Sequence, residues 1–215
     1  TEVEFDFVGS LLAGLGARGQ SYAGVAVSSG FDAQAPGLFP GGIPGVLPPG
    51  LHDVRFSDRE VILVRTDLPA SEFRVLGSGS AAFAARYPIP IAGSVLEAIN
   101  SYAYVDIEMS GRTFRALSTH LDPNVAAVQE AQAAEFIAVA DASPFPQIVL
   151  GDFNSPAAGT GTSTYLDMLA AGFGDSWLEK GAGEGFTSHQ APDLLNDASA
   201  LAGRNDRLVG QRPVL

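Results

Sequence analysis

The chain has 215 residues, 46% of them apolar, and no cysteine, so it can bury a core without covalent staples, and thiol nucleophiles, cysteine zinc sites and disulfides are excluded. Its 24 acidic and 12 basic residues leave a formal charge of −12, which gives no global attraction for a phosphate polymer. No apolar run reaches the roughly 18 residues of a membrane-spanning helix, and no basic segment with a short apolar core opens the chain as a signal peptide would.

Apolar residues at helical spacing (Phe7, Leu11, Leu12, Leu15) predict an amphipathic helix from Phe5 to Ala17, ended by Gly16 and Gly19. Ser21 to Val27 reads as a strand. Residues 29–52 contain five prolines and many glycines and read as a long loop. Glu60 to Arg65 is a short apolar strand and Phe73 to Leu76 another; residues 77–98 are small and carry no placeable pattern. Tyr102 to Met109 and Thr113 to Thr119 alternate about Ser110-Gly111 and form a hairpin. Val125 to Ala140 is a helix with Asn124 as candidate N-cap, and Ser163 to Ala171 a second with Thr162 in that role. Between them Ile148 to Leu150 is a buried strand ending in Gly151-Asp152. Residues 181–203 read as loop and Asp206 to Val209 as a final strand. Strands interrupted by helices, with hairpins, indicate a mixed α/β layered domain.

Two polar clusters stand at strand ends. In Ser118-Thr119-His120-Leu121-Asp122 an alternating strand delivers His120 to its C-terminal end, where an imidazole can exchange protons near neutral pH or simply bond to a loop. In Gly151-Asp152-Phe153-Asn154-Ser155, alternation places Asp152 and Asn154 on one face and Phe153 on the other. An acid and an amide on one face suit a hard cation and a phosphate oxygen; an Asx turn is the alternative. The helix between the clusters can bring the two strands side by side at one end of a sheet.

STHLD, a helix with QEAQ, and IVLGDFNS together resemble the endonuclease/exonuclease/phosphatase superfamily. DREVILVR, YVDIEMSGRTFRALSTHL, GFTSHQAPDLLN and GRNDRLV resemble further segments of it, so the likeness runs along most of the chain. The resemblance implies a single α/β domain over 1–215, a four-layer α/β/β/α sandwich of two mixed sheets lacking its terminal strands. It implies hydrolysis of phosphodiester or phosphomonoester bonds with a divalent metal, magnesium first and manganese or calcium as alternatives. The substrate would be a nucleic acid, a phospholipid head group or a small phosphate ester; no protein partner is implied. His120 resembles the histidine that binds the phosphate and acts as acid, and Asp152 the aspartate that orients or deprotonates water and touches metal. Asn154 resembles the asparagine at the phosphate oxygen, with Asp152 and Asn154 as the metal residues, and Asp206 the aspartate that orients a second histidine. Asp58 or Glu60 could partner His120, although an exposed strand-edge acid accounts for either. Where family members place an arginine before the central hairpin, Asn100-Ser101 stand here.

The family's Q-E and S-D-H motifs do not occur in their expected places. Thr1-Glu2-Val3 only superficially resembles Q-E-V, and Glu2 and Glu4 read more simply as acids ahead of the first helix. The expectation is therefore an impaired chain that binds magnesium weakly. The competing readings are a non-catalytic sandwich serving as a binding or scaffold module, and an α/β domain with an incidental GDFN, which needs His120 and Asp152 more than about 12 Å apart. Trp177 is read as packing against core or loop, His52 and His189 as solvated, and Arg204, Arg207 and Arg212 as arginines on an otherwise acidic surface.

Overall fold

The computed structural model describes residues 5–91, 94–191 and 195–212; Glu2 and Glu4 lie outside them. The chain opens with α1 (Phe7–Gly16) and β1 (Tyr22–Val27). Next come β2 (Asp32–Phe39) and β3 (Gly50–Ser57), paired antiparallel from Asp32↔Ser57 to Phe39↔Gly50. The predicted 29–52 loop is thus largely a hairpin, and only its tip is irregular. Prolines suggest loop, but a two-stranded ribbon is all edge, so Pro36 costs it no obligatory hydrogen bond. Arg55 grips Asp32 with two hydrogen bonds across the ribbon, at 2.8 and 2.5 Å.

β4 (Val61–Arg65) returns antiparallel beside β1. β5 (Phe73–Ala82) runs six residues past its predicted end, through the small-residue tract. Within it Gly79 lies under an aromatic ring: a Cβ there would stand 2.8 Å from the Tyr104 ring. β6 (Tyr87–Ile91) and β7 (Ser94–Ala98) form a second small hairpin that the sequence did not reveal. The predicted central hairpin is β8 (Ser101–Met109) with β9 (Arg112–His120).

α2 (Ala126–Asp141) then leads into β10 (Gln147–Asp152). Its N-cap position is Val125, not Asn124, and carries no side-chain cap. Instead Asp122 Oδ1 accepts the N–H groups of Asn124 and Val125 at 2.8 and 2.7 Å. α3 (Thr164–Ala170) likewise starts at Ser163 without a side-chain cap, and the Thr162 hydroxyl bonds to Gln129 Oε1. The chain closes with β11 (Gly174–Asp175), α4 (Ser176–Lys180), an irregular stretch and β12 (Asp206–Arg212).

β11, β12, β10, β9, β8 and β5 lie side by side in one six-stranded sheet. It is mixed, because β9 and β10 run parallel while its other neighbours are antiparallel. One face buries Leu117, Val149 and Phe153 against Phe136 of α2 and Met168 of α3. The other buries Ala103, Val105 and Ile107 against Ala26 and Val64 of the β1–β4 pair. With α1 against β1, the order of layers is helix, sheet, sheet, helix. Among the described residues the second sheet is two strands wide.

Arg204 is buried rather than on a basic surface, and its Nη1 lies 2.8 Å from Asp175 Oδ2. The side chains of Arg207 and Arg212 lie outside the described part. Asp175 also accepts from the Tyr165 hydroxyl at 2.9 Å and caps α4 through the Trp177 and Leu178 N–H groups. Burial pushes its carboxyl up, but the guanidinium, the hydroxyl and the cap outweigh this and hold it below the usual carboxylate range. Its contribution to stability is therefore full above that range and fades as pH falls through the depressed value. Asp175→Asn should cost about 3 to 5 kcal/mol at neutral pH, because Arg204 is left buried and unpaired. The loss, measured by urea unfolding, should shrink in acid; an equal loss at every pH contradicts this assignment.

Candidate active site

β9 and β10 are parallel neighbours, and the register pairs His120 with Asp152. β12 runs antiparallel on the far side of β10, and its register pairs Asp206 with Asp152. His120, Asp152 and Asp206 thus occupy one row across three adjacent strands; for Asp206 only this backbone position is described. Gly151 makes the row possible. Its φ of 141° is open to glycine, and a Cβ there would run into the Thr119 carbonyl of β9.

His120 Nε2 lies 3.9 Å from Asp152 Oδ2, and Nδ1 lies 3.6 Å from Asp58 Oδ2. The reading that needed His120 and Asp152 far apart is thereby excluded. All three side chains are about one-third exposed, so they meet water at the rim. Asp58 sits between β3 and β4, pinned by its N–H to Phe31 O at 2.7 Å and its carbonyl to Gly30 N at 3.0 Å. It is the partner of His120, not a free strand-edge acid. Its carboxylate raises the imidazole pKa above the ordinary histidine value, against the opposing effect of burial and with help from Asp152. The Asp58 carboxyl is lowered in return, again chiefly by His120.

Phe153 is buried while Asp152 is partly open, as strand alternation predicts. Beyond it the chain turns. Asn154 has φ 48°, its N–H donates to Asp152 Oδ1 at 2.8 Å, and its amide donates to Leu121 O at 2.8 Å. The Asx turn and the shared polar rim are both present. Gln129 of α2 secures this turn from beneath, donating to the Asn154 and Asp122 carbonyls at 2.9 and 2.8 Å. An open cleft of about 700 Å³ flanks Asp152, with Leu150, Trp177, Lys180 and Phe186 in its walls. Trp177 packs against its own loop, donating to Gly183 O at 3.2 Å. His189 is exposed beside Ser188; His52 is partly buried and meets the Pro48 carbonyl at 2.9 Å.

Asp58, Glu60 and His120 bring ligand atoms within 4.8 Å of one another, a spacing a metal ion could use. Asp152 and Asn154 are outside that group. Glu60, however, is buried, and its Oε2 takes hydrogen bonds from the Ser28 and Ser101 hydroxyls. That arrangement was missed in the sequence, where Glu60 is one acid ahead of an apolar run. Ser101, at the place of the family arginine, is fully buried.

The chain is a layered α/β sandwich with an imidazole and two carboxylates gathered at one rim. The sequence matches no protein-family model and no curated protein. Solved structures match over nearly the whole chain. An endonuclease/exonuclease/phosphatase family protein from Bacteroides thetaiotaomicron aligns at TM-score 0.55 and 16% identity, over 95% of this chain and 66% of that one. One from Leptotrichia buccalis aligns at TM-score 0.52 and 14% identity, over 97% and 70%. A mannosyl-6-phosphatase from Bacteroides thetaiotaomicron aligns at TM-score 0.51 and 13% identity, over 95% and 75%. The chain has the endonuclease/exonuclease/phosphatase fold, and it spans about two thirds to three quarters of the length of these structures.

The Asp58–His120 pair makes a direct prediction. In metal-free buffer the imidazole should titrate above the ordinary histidine range, so the pair's contribution to stability is full between the lowered Asp58 value and the ordinary histidine value, and is lost as pH rises through the raised one. Asp58→Asn should bring the titration down, followed by NMR of the ring protons; an unchanged midpoint contradicts the pairing.

Proposed function

We propose that the chain hydrolyses phosphoester bonds at the His120–Asp152 rim with the help of a divalent cation, magnesium in the first instance. The single observation that supports this most is the parallel register that sets His120 against Asp152, 3.9 Å from Nε2 to Oδ2, beside an open cleft. A phosphoester is anionic, so attack by water needs its charge offset and the water deprotonated. His120, kept protonated by Asp58, binds a phosphate oxygen and donates a proton to the leaving oxygen. Asp152 orients the attacking water and takes its proton. Asn154 binds a second phosphate oxygen through its amide. Asp206, one strand over, stands opposite Asp152 in the register.

The open carboxylate of Asp152 and the amide oxygen of Asn154 are hard donors of the kind magnesium prefers, and would hold the ion. When bound, the ion supplies charge neutralisation at the phosphate. The substrate could be a nucleic acid, a phospholipid head group or a sugar phosphate of the kind the mannosyl-6-phosphatase name denotes. The net charge of −12 disfavours duplex DNA among these.

Hydrolysis of bis-p-nitrophenyl phosphate should be slow, in keeping with the missing Q-E and S-D-H motifs, and what remains should require added magnesium and stop with chelator. His120→Ala and Asp152→Asn should each lower the rate by about 100-fold or more, the usual share of a positioned acid or base. Hydrolysis indifferent to chelator and to both substitutions contradicts the proposal.

A further inference from the structure

Glu60 is a buried acid that the reaction above does not use. It precedes β4, is only 7% exposed, and forms no ion pair with an arginine or lysine among the described residues, although its carboxylate lies within 4.8 Å of a His120 ring nitrogen. Instead it closes a knot of short polar contacts. Its Oε2 accepts from the hydroxyls of Ser28, just beyond β1, and Ser101, the first residue of β8. Those hydroxyls lie 2.8 Å from each other. The Glu60 N–H reaches Ser28 Oγ at 3.1 Å, and the Ser28 N–H donates to the Glu60 carbonyl at 2.9 Å.

The knot joins the two sheets directly behind His120. On the β1–β4 side it fixes Glu60 two residues from Asp58, whose carbonyl is held by Gly30 on the chain leaving Ser28. On the six-stranded side, the Ser101 carbonyl accepts from the Thr119 hydroxyl at 3.0 Å, and Thr119 is the residue before His120. Asp58 lies on the connection leading into β4 and His120 ends β9, so the way the β1–β4 pair sits on the six-stranded sheet bears on their 3.6 Å separation. The apolar residues between the sheets resist separation but are non-directional and permit sliding. Hydrogen bonds to a buried carboxylate have direction, and cost most when left unmade.

We propose that Glu60 is a positioning residue: a hydrogen-bonded latch between the two sheets that holds Asp58 against Nδ1 of His120. Its role in turnover rests on the phosphoesterase reading, whereas the latch itself does not. A latch of this kind works through the oxygen that accepts both hydroxyls. A glutamine keeps that oxygen and removes the charge, so the latch is separable from a direct charge effect on His120 and from metal ligation by Glu60.

The test is the tautomer of His120, read from its imidazole ¹⁵N shifts in metal-free buffer at about pH 9, above the ordinary histidine pKa of about 6.5. No substrate is present, so failure of the latch and failure of the hydrolase reading are told apart. The unaltered protein and Glu60→Gln should hold the proton on Nδ1, facing Asp58. Glu60→Ala and the double variant Ser28→Ala/Ser101→Ala should lower the Nδ1–H population by about threefold while circular dichroism stays native. A folded Glu60→Ala protein with the full Nδ1–H population overturns the proposal. So does Glu60→Gln behaving like Glu60→Ala, since charge or metal ligation would then be the cause. Should Glu60→Ala not fold, Ser101→Ala is read by the same rule: a weakened signature supports the latch and an undiminished one overturns it.

Discussion

The parallel pairing of β9 with β10 is the constraint on which the site depends. Parallel strands require a crossover, and α2 provides it, burying Phe136 on the sheet beneath them. A slip of one residue would send His120 and Asp152 to opposite faces. The register is held by Val149 and Leu117 in the core and by Gly151, where only a glycine passes the Thr119 carbonyl. The polar row at the sheet end is thus a consequence of an apolar fit a few residues below it.

Around that row, each functional side chain is held by buried polar groups rather than by packing alone. Gln129 ties the Asn154 turn to the end of β9, and Asp122 braces the start of α2. Asp58 comes from the connection into β4 and His120 from the end of β9, so their ion pair reports how the smaller sheet sits on the larger. The rim is open to water on one side, and in the proposed reaction a cation would offset its carboxylates before phosphate settles there.

Much of this was legible in the sequence because strand period and strand ends carry strong signals. The alternation in YAYVDIEM and the apolar run before Gly151-Asp152 place both ends correctly, and the motif order places them together. The β2–β3 ribbon was hidden by its prolines, which an all-edge hairpin tolerates. The far half of β5 was hidden by small residues, one of which, Gly79, lies under the Tyr104 ring on a strand more than twenty residues away. Asn124 and Thr162 looked like helix caps by type, but Asp122 and Gln129 took up their neighbourhoods through contacts no local pattern encodes. Glu60 was invisible for the same reason, since its two hydroxyl partners are 32 and 41 residues distant.

The central claim is that this rim grips a phosphate. Crystals soaked with manganese and inorganic phosphate test it most directly, because manganese scatters anomalously and phosphate is the group every candidate substrate shares. The account predicts a manganese peak at Asp152 and a phosphate within hydrogen-bonding reach of His120 and Asn154. Ordered phosphate and manganese elsewhere on the surface, with this rim occupied only by water, would contradict it.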